Sequence, residues 1–268
     1  MNLFYKEYQP SEALKSYVIG YWSLHTDGKD FEPTPMQRCF PAGTIEWITQ
    51  IRGRNMVGIR DGYQFNYPDS IFTGVCDKAA EWFGFGNSEL FGVRLTPEGA
   101  IRLFGAPLTE YHNSFLNTED FLASKITPII SNMISAETIS ERLFLVETFL
   151  HSQIKYKEIE RNYFTEALKL IRHHDELNIA DLSKKVYVGE RQLQRSFQRY
   201  LGISPKSYYR VMRLYKAHQL GLIRKDNYTD IAYQFGYADA AHFTRDFKDY
   251  FGISPERHFS AINMKWVA

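Results

Sequence analysis

LQRSFQRYLGISP at residues 193–205 returns fifty residues later as FTRDFKDYFGISP at 243–255. Arg195 matches Arg245, Phe197 matches Phe247, Tyr200 matches Tyr250, and Gly-Ile-Ser-Pro closes both copies. A repeat at this period marks a duplicated supersecondary unit. Two copies are too few for a solenoid, so the pattern predicts two similar binding elements side by side.

The faces of the two copies indicate what they bind. In the first, Leu193, Phe197 and Leu201 recur four apart and make one apolar stripe on a helix. Arg191, Arg195, Gln198 and Arg199 lie on the opposite face, with Gln192 and Gln194 beside them. A shorter helix precedes it, capped by Asn178 or Asp181 and running through Val186. Short helix, tight turn at 187–190, and a helix with a basic outer face predict a helix-turn-helix, whose second helix enters the DNA major groove. A solvated basic face is the plain alternative for one copy, and the duplication argues against it. The second copy reads as a helix over 228–236, a turn at 237–239 and a helix over 240–251. It has one more residue between its helices than the first copy. Phe243, Phe247 and Phe251 point inward; Ala240, Ala241, His242, Arg245 and Lys248 point outward, along with Asp246 and Asp249. Between the copies, Ser204 as N-cap and Pro205 as first residue start a helix to about residue 222, roughly 26 Å long. Such a rod can hold two recognition helices about one DNA turn, ~34 Å, apart.

These residues resemble the DNA-binding domain of the AraC/XylS transcription regulators over 157–268, above all in IAYQFGYADAAHFTRDFKDYFGISPERH at 231–258. The resemblance takes in both motifs, their separation and the connecting helix. It implies seven helices, sequence-specific binding of double-stranded promoter DNA and recruitment of RNA polymerase. By position, the family's base-contacting residues correspond to Arg191, Gln194 and Arg195, then Ala240, Ala241, His242 and Arg245. Ala240 and Ala241 depart from the longer polar side chains often found there, which favours the first helix as the reader of bases.

Charge divides the chain. Residues 1–156 hold 13 Lys+Arg against 18 Asp+Glu, whereas 157–268 hold 19 against 13, so a net charge of +1 hides −5 and +6. A basic DNA module attached to an acidic domain of another kind fits this split. No apolar run approaches ~18 residues and no signal pattern opens the chain, so a cytoplasmic protein without membrane contact is expected. Cys39 and Cys76 are too few for a disulfide framework.

The first half predicts strands at 17–24, 44–51, 70–75, 80–86 and 89–95, aromatic and β-branched runs set off by Gly, Pro, Asp and Asn. A helix over 97–104 follows, capped by Thr96. YVIGYWSL, RCFPAGTIEWI and VRLTPEGAIRLFGAPLTE resemble an N-terminal domain of some AraC-type regulators, related in outline to a cupin-like barrel. The expected fold class is therefore α+β: a β-rich cupin-like barrel with flanking helices over 1–156, then an all-α double helix-turn-helix domain over 157–268.

Trp22, Trp47, Trp82 and Phe85 are candidates to line an aromatic pocket for a small-molecule effector, with Arg38, Glu46 and Arg94 as its polar contacts. Plain aromatic core is the competing reading. Arg38 and Arg94 suit a carboxylate or phosphate. Cys39, beside Arg38, is either a lowered-pKa sensor thiol or an inert buried one. His25 and His112 stand isolated, and neither a metal nor another cofactor is expected. Residues 137–153 predict an amphipathic helix with Ile139, Leu143, Val146, Phe149 and Leu150 on one stripe, packed on its own barrel or on a second subunit of a homodimer. Charged residues at 155–161 predict a helical join, with the first DNA-domain helix over 158–174. The competing function is a cupin-like or alkyl-transfer enzyme fused to a DNA-binding domain.

Overall fold

The computed structural model describes residues 2–262 except 30, 54–55, 61–62, 106–107, 123–125, 155–162, 175–176 and 225–227. Two compact units emerge. The first comprises Met1–Cys39, Thr44–Val75 and Ala80–Glu158; the second comprises Phe40–Gly43, Cys76–Ala79 and Ile159–Ala268. The expected 156/157 boundary, the helical join and the start of the 158–174 helix lie outside the described residues. No helix among the described residues is long and apolar enough to cross a membrane.

The first unit has ten strands among the described residues: β1 Leu3–Tyr8, β2 Val18–Thr26, β3 Gln37–Cys39, β4 Ile45–Arg52, β5 Val57–Arg60, β6 Tyr63–Asn66, β7 Ser70–Thr73, β8 Ala80–Phe83, β9 Glu89–Leu95 and β10 Phe115–Asn117. They form a six-stranded sheet, β1-β2-β9-β4-β7-β10, and a four-stranded sheet, β3-β8-β5-β6. Every pairing is antiparallel. Side chains on a strand alternate between faces. Trp22, Leu24, Ile48 and Leu90 of the large sheet therefore share one face and pack in one cluster with Trp82 of the small sheet. Tyr21, Trp47, Phe91 and Val93 take the opposite face, which helices cover. With both faces covered, β4 and β9 are buried or half-buried along nearly their whole length, Glu46, Thr49, Gln50 and Arg94 included.

The helices of this unit are α1 Pro97–Phe104, α2 Thr118–Leu122, α3 Thr127–Ser135 and α4 Ile139–Gln153. The Thr96 side chain caps α1 at the Gly99 amide, and Gly105 ends it at φ 73°. A capping box of Thr138 and Glu141 starts α4. On α4, Val146, Phe149 and Leu150 are buried, and the Phe149 ring meets the Trp47 ring edge-on at 5.9 Å. These three are core of their own unit, while Ile139 and Leu143 of the same stripe are half-buried. Val146, fully buried, is no part of a subunit surface; Phe144, 71% exposed, faces outward instead.

The second unit contains seven helices among the described residues: α5 Tyr163–His173, α6 Ile179–Lys185, α7 Glu190–Leu201, α8 Pro205–Arg224, α9 Tyr228–Gln234, α10 Ala240–Phe251 and α11 Pro255–Ile262. Asn178 caps α6 through the Asp181 amide. The α8 helix has 20 residues, or about 30 Å, and extends past the expected end at 222. Its Tyr208, Val211, Leu214 and Ala217 are buried. The repeated Gly-Ile-Ser-Pro proves to be a corner. Gly202 and Gly252 end α7 and α10 in the left-handed region at φ 74° and 76°. Ser204 and Ser254 then cap the next helix at the Ser207 and Arg257 amides, and proline starts it.

Candidate nucleic-acid interface

Leu193, Phe197 and Leu201 are fully buried on α7, as are Phe247 and Phe251 on α10, with Phe243 1% exposed. Burying these stripes forces the other side of each helix outward. Arg191, Gln192, Gln194, Arg195, Gln198 and Arg199 are all exposed, and a shallow recess of about 510 Å³ on α7 is lined by Glu190, Arg191, Gln194 and Arg195. Gln198 is already engaged, donating to the Gly202 carbonyl at 3.0 Å, and the Arg199 guanidinium lies over the Tyr200 ring. On α10, Ala241, His242, Arg245 and Lys248 are exposed and Ala240 is half-buried. Among the described residues, Arg191, Arg195, Arg245 and Lys248 form no ion pair, so their charge is directed to solvent.

The turns within the two motifs are built alike despite their different lengths. After α6, Tyr187 adopts φ 57° and the Val188 amide donates to the Ser183 carbonyl; after α9, Gly236 adopts φ 69° and the Tyr237 amide donates to the Ala232 carbonyl. Both are left-handed helix stops. Glycine takes that conformation freely, whereas Tyr187, 94% exposed, takes it at a steric cost. The second motif then inserts one more residue before its recognition helix, and Asp239 caps α10 at the His242 amide.

Asp246 and Asp249 are expected from the sequence to point outward with Arg245. Both carboxylates turn to α8: Arg210 meets Asp246 at 3.1 Å and Asp249 at 2.8 Å, and Arg213 meets Asp246 at 3.5 Å. The acidic charge on α10 is thus offset from behind. Sequence spacing gave no signal of this, because the partners lie on another helix 33 to 39 residues upstream.

The residues expected to line an effector pocket divide between faces. Trp22, Glu46, Arg94 and Trp82 belong to the faces between the two sheets, where the Trp22 indole N–H donates to Glu46 at 2.8 Å and Arg94 Nε donates to the same carboxylate at 2.7 Å. Glu7 and the Tyr5 hydroxyl take the rest of the Arg94 fork. Gly92 lies beneath the indole, where a Cβ would overlap the ring. Trp47 does not join them. Adjacent to Glu46 on β4, it faces the helices and donates to Ser70 at 3.0 Å. Arg38 is likewise on the outer face of β3, paired with Glu81 at 2.6 Å. Phe85 packs edge-on against Phe83. The anion site expected of Arg38 and Arg94 together is not assembled, since the two lie on different faces and each already holds a carboxylate.

Cys39 is exposed, yet protein crowded around its thiol strips hydration and pushes the pKa up to about 11, against a lowering contact with Trp82. Of the two readings of Cys39, this favours the inert thiol over the lowered-pKa sensor, since Arg38 gives its charge to Glu81 on the other face.

Comparison with known protein families matches residues 182–260 to a helix-turn-helix domain and residues 6–117 to a domain of unknown function, DUF6597. The chain is 37% identical over 79 residues to the HTH-type transcriptional regulator GbdR of Pseudomonas aeruginosa, a match covering 30% of this chain and 22% of that protein. It is 35% identical over 91 residues to the lactose operon transcription activator of Staphylococcus xylosus, covering 33% of each. The chain thus spans about a fifth to a third of these relatives. With ExsA of P. aeruginosa it shares 24% identity over 180 residues, 60% of this chain and 65% of that one. Among solved structures, ToxT from Vibrio cholerae superposes with a TM-score of 0.51 at 12% identity, covering 87% of this chain and 98% of that one. That likeness speaks for the fold. Repeat, turns, corners and matches agree: the chain carries a helix-turn-helix domain behind a DUF6597 domain.

Proposed function

We propose that this protein is a sequence-specific DNA-binding transcription regulator. The observation that carries the reading is the pair of 12-residue helices α7 and α10, each with its apolar stripe buried and its polar face exposed. A 20-residue helix joins their motifs. Lysine and arginine contacts to phosphate supply most of the affinity, while Arg191, Gln194 and Arg195 read base edges in the major groove. On α10, His242 and Arg245 reach furthest, and Ala240 and Ala241 let the helix approach closely.

The finer points extend this reading. Residues 1–156 form a cupin-like sensor or dimerisation domain and 157–268 the DNA-binding domain. The two packed antiparallel sheets support the first assignment, and the exposed Phe144 of α4 supports a homodimer contact. A small-molecule effector would enter between the sheets near Trp22, Glu46 and Arg94, displacing internal partners rather than filling a ready cavity. The protein acts in the cytoplasm, on promoter DNA and with RNA polymerase. Selection of bound sequences from random double-stranded DNA by the purified chain tests the function: an enriched motif whose binding weakens steeply with salt is expected. No preference over competitor DNA would overturn it.

A further inference from the structure

Asp246 holds a place on α10 that needs explaining in a helix read as facing DNA. Its side chain is only 15% exposed, and a carboxylate there opposes phosphate. Four groups from three segments converge on it. Arg210 and Arg213 of α8 meet it at 3.1 and 3.5 Å. The Tyr237 hydroxyl, from the turn before α10, donates to it at 3.2 Å. His242, one helical turn earlier on the exposed face, lies 3.9 Å away. The Arg213 guanidinium also sits 3.8 Å from the centre of the Tyr237 ring, a cation–π contact that clamps turn to rod. The Tyr237 ring meets the His242 ring edge-on at 5.2 Å. Much of the polar contact between α10 and α8 thus passes through one carboxylate, alongside the Asp249–Arg210 pair and the Tyr250 hydroxyl, which donates to the Val211 carbonyl.

The first copy is built differently at this place. The repeat aligns Asp246 with Ser196, whose hydroxyl donates to the Gln192 carbonyl and lies 2.6 Å from the Tyr163 hydroxyl of α5. At this place in the repeat neutral hydrogen bonds hold α7, whereas charge holds α10.

We propose that Asp246, with Arg210, Arg213 and Tyr237, forms a clasp that positions α10 for base reading by His242 and Arg245. Asp246 is then a positioning residue that determines the specificity of the second motif. This rests on the DNA-binding reading above. The sign of one substitution separates positioning from plain electrostatics. Asp246→Asn keeps size and shape but removes a negative charge. If the carboxylate only repels phosphate, the variant binds more tightly. If it positions α10, the variant binds more weakly, on the order of tenfold for a coupled network of this kind.

The test titrates the full chain, wild type and Asp246→Asn, against its selected site and a panel of single-base variants of that site. Arg195→Ala and Arg245→Ala mark which bases belong to α7 and which to α10. Weaker binding with discrimination flattened at the α10 bases and retained at the α7 bases is expected. Equal or tighter binding with an unchanged pattern overturns the clasp, as does a uniform loss that follows the folded fraction. Should Asp246→Asn fail to fold, Arg210→Gln decides, since that side chain is 41% exposed and its loss leaves Arg213 and Tyr237 in place. Flattened α10 bases support the clasp; a uniform loss, as from one phosphate contact, overturns it. A wild-type chain with no sequence preference refutes the DNA-binding reading itself, a result distinct from any of these.

Discussion

Lowering the pH should unfold the second unit through one buried imidazole. His218 on α8 is 6% exposed, among Phe40, Phe251, Phe259 and His258 with ring centres 4.9 to 5.9 Å away. Among the described residues, neither of its ring nitrogens has a hydrogen-bond partner. Burial first, and the neighbouring His258 second, hold its pKa down to about 3 against an ordinary 6.5. The unfolded chain therefore takes up a proton near 6.5 that the folded chain refuses until about 3. The stability contributed by keeping this ring neutral is complete above 6.5 and is lost as the pH falls from 6.5 towards 3. Each pH unit in that window is worth about 1.4 kcal/mol, so near pH 5 the loss is about 2 kcal/mol. The perturbation is His218→Phe, which suits the aromatic cage and cannot titrate. Urea unfolding of the full chain, followed by the helical circular-dichroism signal at about pH 7.5 and about pH 5, gives the slope. Wild type should lose about 2 kcal/mol more than the variant between the two conditions. Equal slopes would refute the argument, because they would mean that His218 accepts its proton while folded.

Three further outcomes follow from local geometry. Tyr187→Gly should stabilise the protein by about 0.5–1 kcal/mol in thermal unfolding, the left-handed cost of a tyrosine less the entropy of a glycine; a loss of stability would mean that the exposed ring makes contacts of value. Gly92→Ala should cost about 1–3 kcal/mol and change tryptophan emission as the Trp22 indole is pushed off Glu46; unchanged emission would contradict the close approach. Arg195→Ala should relax preference at one or two base pairs by about 1–3 kcal/mol, measured on single-base variants of the selected site. A uniform drop across all variants would reassign Arg195 to phosphate.

The helical half was legible because its signals are local. Stripes four apart, Asn178 as cap, the turn glycine Gly236 and the repeated corner each fix structure within a few residues, and α10 falls where the pattern put it. The same holds for α1 behind Thr96 and for β9. What was lost in the first half is short or non-local. Strands β3, β5, β6 and β10 have three or four residues, as do β7 and β8, but no longer run of aromatic or β-branched residues announces them, and β1 is mostly exposed. The effector-pocket grouping failed at a point the sequence did contain: Glu46 and Trp47 are neighbours on one strand and cannot share a face. The pairing of Asp246 with α8 was not legible, since it depends on how two helices meet.

The Gly-Ile-Ser-Pro corner has a consequence for how such a protein can change. Its stop, cap and restart lie within four residues, and from the outer face of the helix before it only Gln198, in the first copy, adds a bond, to the Gly202 carbonyl. Each recognition helix is in effect a cartridge between fixed fittings, 12 residues long in both copies. Mutation can rewrite the outward positions of one cartridge without disturbing the bend that aims what comes next, and the other copy keeps its grip meanwhile. The same interchangeability invites grafting the outer face of α7 onto α10 to build a reader of a new site.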